Sequence, residues 1–398
     1  MHRLRVALRS GLALALACIS LAASGSGGAG ASVADADVAL GEVIRAIEQR
    51  KTDEALKKVD ALLVRYPNFR LAHLIRGDLL LARTRPLSAF GGSPDAPAEK
   101  LADLREEAVA RLKAYRNRPP SNYVPRYLLQ MEPDQKFAIV VDTQRSRLYI
   151  YQNDGGRPRF VADYYIAHGK LGAEKTREGD KRTPVGVYHV TANLPRQKLS
   201  DFYGSGAFPI NYPNEWDRQQ GRNGHGIWLH GTPSDTYSRP PRASDGCVVL
   251  TNQDLDALSG YLQVGLTPVI ISNTIEWLSL DDWASERTAL NREIEAWRKD
   301  WESRDVDRYL SHYSRSFRNN EGDFSLWSRQ KHQVAASKSW VKVELSKLSV
   351  FRNPGKEDMI VVTFEQDYRS NNLSNVLKKR QYWIKEGGRW KIIYEGFA

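Results

Sequence analysis

Cysteine is nearly absent from this chain, which has two cysteines, Cys18 and Cys247, among 398 residues. Two cysteines cannot form the dense disulfide framework of small secreted domains, so that class of fold is excluded. The 29 glycines and 18 prolines are too few for a collagen-like or proline-rich chain. Long apolar runs are also missing, because the run from Gly11 to Ala23 is shorter than the roughly 20 residues that a membrane-spanning helix needs.

The rest of the composition is that of a globular protein. Hydrophobic residues make up 41% of the chain and charged residues 26%, which are ordinary values for folded domains. A length of 398 residues predicts two or three domains. The formal net charge of +11 suits a polyanionic partner or surface, although it does not indicate a fold.

The N-terminus has the pattern of a secretory signal peptide over residues 1–31. Basic residues come first, the apolar run follows, and small residues end at Ala29-Gly30-Ala31, a cleavage signal. We therefore expect export to the periplasm of a Gram-negative cell, with no membrane span after signal removal. An uncleaved anchor is the alternative, and lipidation of Cys18 is disfavoured because Ala15 stands where a lipobox prefers leucine. After cleavage Cys247 is the only cysteine, and an unpaired thiol in an oxidising compartment must be buried, paired between chains or reactive.

Hydrophobic periodicity predicts a multidomain α+β protein. Apolar residues at helical spacing indicate a helical, tetratricopeptide-like segment over residues 32–118, with Thr52 and Asn68 placed to cap two of its helices. Alternating apolar residues then predict a mainly-β domain with long loops over residues 133–273. Such loops on a β scaffold are where functional residues collect.

The C-terminal part, residues 283–398, predicts a third domain. A long helix over Leu290–Leu310 precedes three strand-rich stretches. These stretches are Trp340–Val350, Met359–Tyr368 and Arg380–Tyr394. The spacing of six residues in and just after this helix completes the pattern, namely Trp297, Trp301, Asp305, Val306, Tyr309 and Tyr313. This order resembles the NTF2-like α+β cone, whose implied roles are dimerisation or holding a glycan or peptide strand. A nucleic-acid partner is not expected, because the basic, aromatic-rich tail has no DNA- or RNA-binding motif.

The stretch around Cys247 indicates thiol chemistry. In a strand through Gly226–His230, Trp228 and His230 share one face, which we expect to line a cleft. The chain returns at Ser244 in a Ser-Asp-Gly turn that leads directly into Cys247. A nearby histidine can activate a thiol and later protonate a leaving amine, and backbone N–H groups at such a turn can stabilise an oxyanion.

These residues resemble the catalytic motif of the L,D-transpeptidase (YkuD) family. The motif is His230-Gly231, then Ser244 fourteen residues after the histidine, then Asp245-Gly246-Cys247. Two further stretches agree with the family, Gly169-Lys170 with residues 178–188 and the predicted hairpin over residues 139–151, so the resemblance covers residues 136–272. Asp245 replaces the histidine that is commonest in the motif, and Val249 stands where many members have arginine, which puts the choice of acceptor in doubt.

The resemblance implies a peptidoglycan enzyme that uses no cofactor or metal. Cys247 would attack a stem tetrapeptide and form a thioester, with His230 as acid and base, Gly231 orienting the imidazole, Gly246 and Cys247 supplying oxyanion donors, and Ser244 holding the turn. Substrate-binding candidates are Trp228, Arg242, Asp245, Lys181 and Arg182. The expected reaction is cross-linking, as in an L,D-transpeptidase. The alternatives are trimming of tetrapeptide to tripeptide, as in the cell-shape L,D-carboxypeptidases that share this domain combination, hydrolysis of lipoprotein–peptidoglycan links, and a non-catalytic wall-binding protein.

Overall fold

The computed structural model describes residues 34–87, 89–92 and 97–398, so the predicted signal peptide lies outside the described residues. The described chain begins with four helices. They are α1 (Ala34–Glu48), α2 (Thr52–Arg65), α3 (Arg70–Leu81) and α4 (Ala98–Arg116). None of the helices within the described ranges combines the length and the apolar character required to cross a bilayer.

The helical segment has a core of its own, formed by the apolar stripes of α1, α2 and α3. The two predicted caps are wrong. Lys51 precedes α2 and Phe69 precedes α3, and neither side chain makes a capping hydrogen bond. Phe69 is fully buried in the core, and this burial sets where α3 starts. Asn68 does not cap the helix, because its side-chain amide Nδ2 points to the carbonyl of Ser234, 3.5 Å away. The segment is helical, as predicted. Its similarity to tetratricopeptide repeats stays a prediction.

The middle of the chain folds into two main sheets that face each other across one core. The first is a mixed five-stranded sheet in the order β5-β4-β3-β13-β7. Its strands are β3 (Phe137–Asp142), β4 (Arg147–Asp154), β5 (Arg157–Tyr165), β7 (Gly186–His189) and β13 (Pro268–Ser272). The alternating apolar residues of β3 and β4 put Ile139, Val141, Leu148 and Ile150 into the core, which explains why this hairpin is readable from sequence.

The second sheet has four short strands in the order β12-β10-β9-β8. They are β8 (Leu194–Pro195), β9 (Gly206–Pro209), β10 (Trp228–His230) and β12 (Val248–Val249). A separate parallel pair, β6 (His168–Gly169) with β11 (Arg242–Ser244), lies in the same region. Helix α5 (Glu215–Gln219) and helix α6 (Asn252–Ser259) fill the remaining connections, and α6 contributes Leu255 and Leu258 to the core.

The C-terminal domain packs helices against an antiparallel sheet. Helix α7 (Leu280–Glu302) is followed by α8 (Val306–Leu310), α9 (Phe324–Ala336) and four strands. The strands are β15 (Val341–Arg352), β16 (Met359–Ser370), β17 (Leu373–Glu386) and β18 (Arg389–Phe397). Buried Trp297 of α7 packs on Phe364 and Trp383 of the sheet, with ring centroids 5.7 and 6.4 Å apart. A homodimer through this domain stays a prediction.

Two predicted elements of this domain are corrected. The predicted helix Leu290–Leu310 is two helices, because Arg304 adopts a left-handed φ of 64° and the Asp305 side chain caps α8. The predicted strand-rich stretch Arg380–Tyr394 is a hairpin, because Gly387 and Gly388 have φ values of 55° and 81° and turn the chain between β17 and β18. Such a pair of positive φ values is typical of a tight hairpin turn.

The sheet of the C-terminal domain also contains a strand from before the middle domain. Strand β2 (Leu128–Gln130) pairs antiparallel with β15 at its edge, and β1 (Tyr123–Pro125) pairs with β14 (Trp277–Ser279). Trp283 of α7 donates its indole N–H to the Leu128 carbonyl at 2.7 Å. The middle domain is therefore inserted between the first strand of the C-terminal domain and the rest of it.

Candidate active site

The two strands that carry His230 and Cys247 are neighbours in the four-stranded sheet. Strands β10 and β12 run parallel, with Leu229 opposite Val248 and His230 opposite Val249. Cys247 directly precedes β12, so the same register sets it beside Trp228. Because alternate residues of a strand share a face, His230, Trp228 and Cys247 lie on one side of the sheet, while Leu229 and Val248 point into the core.

Cys247 is a half-buried thiol at the start of β12. Its Sγ donates to the carbonyl oxygen of Gly226 at 3.3 Å and accepts the backbone N–H of Trp228. Burial raises the pKa of Cys247 to about 11, although the Trp228 N–H and the positive charge of Arg239 both stabilise the thiolate. At neutral pH the thiol is therefore protonated before substrate arrives, contrary to the expectation that a nearby histidine would already activate it.

His230 is buried, with 1% of its surface exposed. Its Nδ1 lies 2.7 Å from the carbonyl oxygen of Gly231, which is the contact that the family resemblance implies. The rings of Phe202 and Tyr203 pack on the imidazole at centroid distances of 5.8 and 5.2 Å. Burial lowers the pKa of His230 to about 4, so the ring is neutral. With Nδ1–H donated to a carbonyl, Nε2 is the nitrogen that can accept a proton.

Ser244 holds the turn that presents Cys247. Its hydroxyl donates to the Cys247 carbonyl at 2.6 Å and accepts the Gly246 N–H at 3.1 Å. Gly246 has a φ of 131°, and a Cβ at this position would lie 2.7 Å from the Arg182 carbonyl, so only glycine fits. The Gly246 N–H was predicted to be an oxyanion donor. In the structure it donates to the Ser244 hydroxyl instead, so it is not free for that role. Within the described part of the chain we find no acceptor for the Cys247 N–H, which leaves it available.

Thr183 joins the Cys247 turn to a neighbouring loop, and sequence reasoning missed it. The fully buried hydroxyl accepts the Gly169 N–H at 2.9 Å and donates to the Gly246 carbonyl at 3.0 Å. The signal that could have found it is the Arg-Thr-Pro run inside one of the stretches that resemble the family. This single hydroxyl fixes the backbone directly before Cys247.

Asn252 supports the segment that follows His230. Its Oδ1 accepts the N–H groups of Ser205 and Thr232 at 2.9 and 3.2 Å, and its Nδ2 donates to the Thr232 carbonyl at 2.8 Å. The amide therefore ties the chain after Gly231 to the loop that carries Tyr203. Among residues 34–87, 89–92 and 97–398, no three His, Cys, Asp or Glu side chains are arranged to hold a metal ion.

The predicted substrate-binding residues do not all meet at the cleft. Trp228 is half-buried against the ring of Tyr203, 4.8 Å away between centroids. Asp245 is exposed and pairs with Lys170 at 3.2 Å. Lys181 is exposed, and Arg182 donates from its guanidinium to the carbonyl of Ala173 at 3.0 Å.

Arg242 is the clearest correction among these predictions. Its guanidinium forms two contacts with the carboxylate of Glu106 in α4, at 2.8 and 3.2 Å. Arg242 lies in β11, and because its charge is already paired with Glu106 it is not placed as a free cation for a substrate. Arg239, three residues earlier, is half-buried. Its positive charge acts on both Cys247 and His230, so it lies closer to the candidate site in electrostatic terms.

Comparison with known families identifies both large domains. The model of the L,D-transpeptidase catalytic domain (YkuD) matches residues 136–271. The model of the Cds6 C-terminal NTF2-like domain matches residues 289–396. This chain carries a YkuD L,D-transpeptidase domain followed by an NTF2-like domain. The strand pairing and the Cys247 turn described above lie within the residues that the L,D-transpeptidase model matches.

Relatives of the L,D-transpeptidase domain occur in several Gram-negative bacteria. YafK of Escherichia coli strain K12, a candidate L,D-transpeptidase, is 30% identical over 140 residues, which span 34% of this chain and 52% of YafK. The chain thus covers about half the length of this curated relative. Bd1075 of Bdellovibrio bacteriovorus is 28% identical with a TM-score of 0.62, over 69% of this chain and 98% of that one. Pgp2 of Campylobacter jejuni, a helical cell shape determining protein, is 25% identical with a TM-score of 0.58, over 68% of this chain and 95% of Pgp2.

Proposed function

We propose that this protein modifies peptidoglycan in the periplasm by acyl transfer through a thioester on Cys247. One observation carries the proposal. Parallel strands β10 and β12 set His230 and Cys247 on one face of the sheet, with His230 Nδ1 held 2.7 Å from the Gly231 carbonyl oxygen. This is the arrangement that a cysteine acyltransferase needs, namely a nucleophile, a base on an adjacent strand and a group that orients the base.

In the first half-reaction the donor is a stem tetrapeptide. Neutral His230 takes the proton of the Cys247 thiol at Nε2 as the sulfur attacks the carbonyl of the third residue, a diamino acid. The imidazolium then protonates the leaving amine of D-alanine, and a thioester remains on Cys247. The protonated resting thiol requires that proton transfer accompany the attack.

The negative oxygen formed in this attack needs backbone donors. The Cys247 N–H is the first candidate, because it has no acceptor in the described part of the chain. The Gly246 N–H could join it only by releasing the Ser244 hydroxyl, 3.1 Å away. A pre-formed donor is worth about 3–4 kcal/mol of transition-state stabilisation in comparable acyl-transfer sites.

The acceptor of the second half-reaction decides the product. An amine from a neighbouring stem peptide would give a cross-link, as the family name implies. Water would give a trimmed tripeptide. The similarity to Pgp2, a helical cell shape determining protein, over 95% of that chain supports this second candidate, because the sequence resembles the cell-shape L,D-carboxypeptidases. In that reading the protein, like Pgp2, acts on cell shape.

Mass spectrometry of the products tests these proposals. Purified protein and its Cys247→Ala variant are incubated in parallel with disaccharide tetrapeptide. A tripeptide monomer that depends on Cys247 supports hydrolysis, and dimers linked between diamino acids support cross-linking. Ser259→Ala is a matched control, because this exposed hydroxyl of α6 only donates to its own helix at 2.7 Å.

Two outcomes would contradict the proposal. Equal product from wild type and Cys247→Ala would remove Cys247 from the reaction. A complete lack of product would exclude the tetrapeptide as donor, and release of stem peptide from a lipoprotein–peptidoglycan conjugate would then assign the protein to hydrolysis of that link. If neither substrate is cleaved and wild type still binds peptidoglycan, the non-catalytic alternative replaces ours.

A further inference from the structure

Arg239 lies in the loop between β10 and β11, and its side chain is stacked beside the catalytic histidine. Its guanidinium carbon is 4.6 Å from the ring centroid of Phe202. The Phe202 ring in turn packs on the His230 imidazole at 5.8 Å. A half-buried cation on an aromatic face, with the single ring of Phe202 between it and His230, is held at a defined place rather than free in solvent.

Within the described ranges of the chain, the Arg239 guanidinium has no hydrogen-bond acceptor. Among the hydrogen bonds and ion pairs of the described residues, none uses the side-chain nitrogens of Arg239. The carboxylate whose charge acts on Arg239 is that of Asp245, which is exposed and already pairs with Lys170 at 3.2 Å. Arginine presents five N–H donors in a planar fork that fits a carboxylate, and burial without a partner is costly. Such a group is ready for an anionic ligand.

The loop that carries Arg239 is fixed on both sides by the helical segment. On one side Tyr237 inserts between Tyr66 and Phe69, with ring centroids 4.9 and 4.5 Å away, and Ser238 donates to Glu107 at 2.7 Å. On the other side lies the Arg242–Glu106 pair described above. The Arg239 carbonyl itself accepts the Tyr165 hydroxyl at 2.9 Å. The backbone of Arg239 is therefore anchored, and the side chain can act as a fixed binding group.

We propose that Arg239 binds the free C-terminal carboxylate of the donor peptide. The inference rests on the proposed function. In a tetrapeptide the terminal D-alanine carboxylate lies one residue beyond the carbonyl that Cys247 attacks, so an anion-binding group is needed close to the Cys247–His230 pair. An arginine in that place selects peptides that end at this residue and rejects longer or capped ones. Arg239 thus takes the substrate-binding role that we predicted for Arg242.

A peptide whose charge is removed provides the test. The cleavage efficiency, kcat/KM, is measured for the tetrapeptide and for the same peptide ending in D-alanine amide. We expect wild type to prefer the free acid by on the order of 10- to 100-fold, the range for losing hydrogen bonds to a charged group. Arg239→Gln should abolish the preference, so that the ratio of the efficiencies on the acid and on the amide falls close to one. Arg239→Lys should keep part of the preference, because lysine retains the positive charge but lacks the planar set of N–H donors of a guanidinium.

Arg159→Gln is the matched control, because it removes an exposed arginine from β5 of the same domain. It should keep the full preference for the acid. If Arg239→Gln fails to fold, the comparison of acid with amide in wild type still tests the inference. Equal cleavage of the two peptides by wild type, dependent on Cys247, would overturn the role of Arg239 and leave the proposed function intact. Absence of Cys247-dependent product from both peptides would instead overturn the proposed function.

Discussion

Replacing Thr183 with valine should loosen the backbone that presents the nucleophile. Valine keeps the branched shape of threonine and removes only the hydroxyl. That hydroxyl accepts the Gly169 N–H at 2.9 Å and donates to the Gly246 carbonyl at 3.0 Å, and both partners are buried. The change therefore leaves one buried donor and one buried acceptor without partners.

The size of the effect follows from these two lost bonds. An unsatisfied buried polar group costs about 1–3 kcal/mol, so Thr183→Val should cost about 2–6 kcal/mol locally. Even the lower value raises the open population of this region about 30-fold, because each 1.4 kcal/mol is a factor of ten. A domain is stable by only about 5–15 kcal/mol, so the upper value would threaten folding itself.

Hydrogen–deuterium exchange measures this opening directly. The Gly169 amide, followed in a peptide that covers residues 167–172, should exchange at least about 30-fold faster in Thr183→Val than in wild type. Thr183→Ser restores a hydroxyl and should recover most of the protection. Thr191→Val is the matched control, because the exposed Thr191 hydroxyl donates to a Pro209 carbonyl that the Thr191 N–H also reaches at 2.8 Å.

Unchanged exchange at Gly169 in the valine variant would refute this reasoning. It would mean that water or a shifted backbone replaces both bonds at little cost. Acylation of Cys247 by a carbapenem gives a second measurement on the same four proteins. We expect slower acylation in Thr183→Val and a wild-type rate in Thr191→Val, since only the first change reaches the turn that carries Cys247.

Two further predictions concern the thiol and the loop beside it. Because burial raises the pKa of Cys247 to about 11 and lowers that of His230 to about 4, alkylation by iodoacetamide should rise about tenfold per pH unit from pH 7 to 10. A rate that is already constant between pH 5 and 8 would instead indicate a thiolate–imidazolium pair. Tyr237→Ala should destabilise the packing of the loop on the helices by about 3–4 kcal/mol, as for other buried aromatic side chains, and should speed limited proteolysis between β10 and β11. The exposed Tyr123 gives the control Tyr123→Ala, and equal cleavage of both variants would show that Tyr237 does not hold the loop.

Local patterns explain what the sequence could predict. The hairpin of β3 and β4 follows from alternation of apolar residues, because one face of each strand meets the core. His230 and Cys247 were found from motif spacing, since a strand, a turn and a second strand are all short-range features. The chemical roles proposed for these two residues depend on the same spacing.

Pairing between distant parts of the chain explains what the sequence could not predict. Strand β9 was missed because Gly206-Ala-Phe-Pro209 has little strand character, yet it pairs with β10 and β8 in the middle of a sheet. Arg239 and Arg242 look alike in an Arg-Pro-Pro-Arg run. Only the position of Glu106, 136 residues earlier, decides that Arg242 is paired and Arg239 is not.

The insertion of the catalytic domain also affects how the chain reaches its fold. Gln130 of β2 bonds to Leu348, 218 residues later, which is a costly contact for an unfolded chain. Folding of the inserted domain shortens the stretch of chain that separates Gln130 from Leu348. Its first and last strands, β3 and β13, are adjacent and parallel, and β1 and β14, which flank the domain, pair with each other. Folding of the catalytic domain therefore brings β2 close to the C-terminal strands with which it pairs. An isolated fragment that starts at residue 283 would lack β2 and leave the edge of β15 open to other chains.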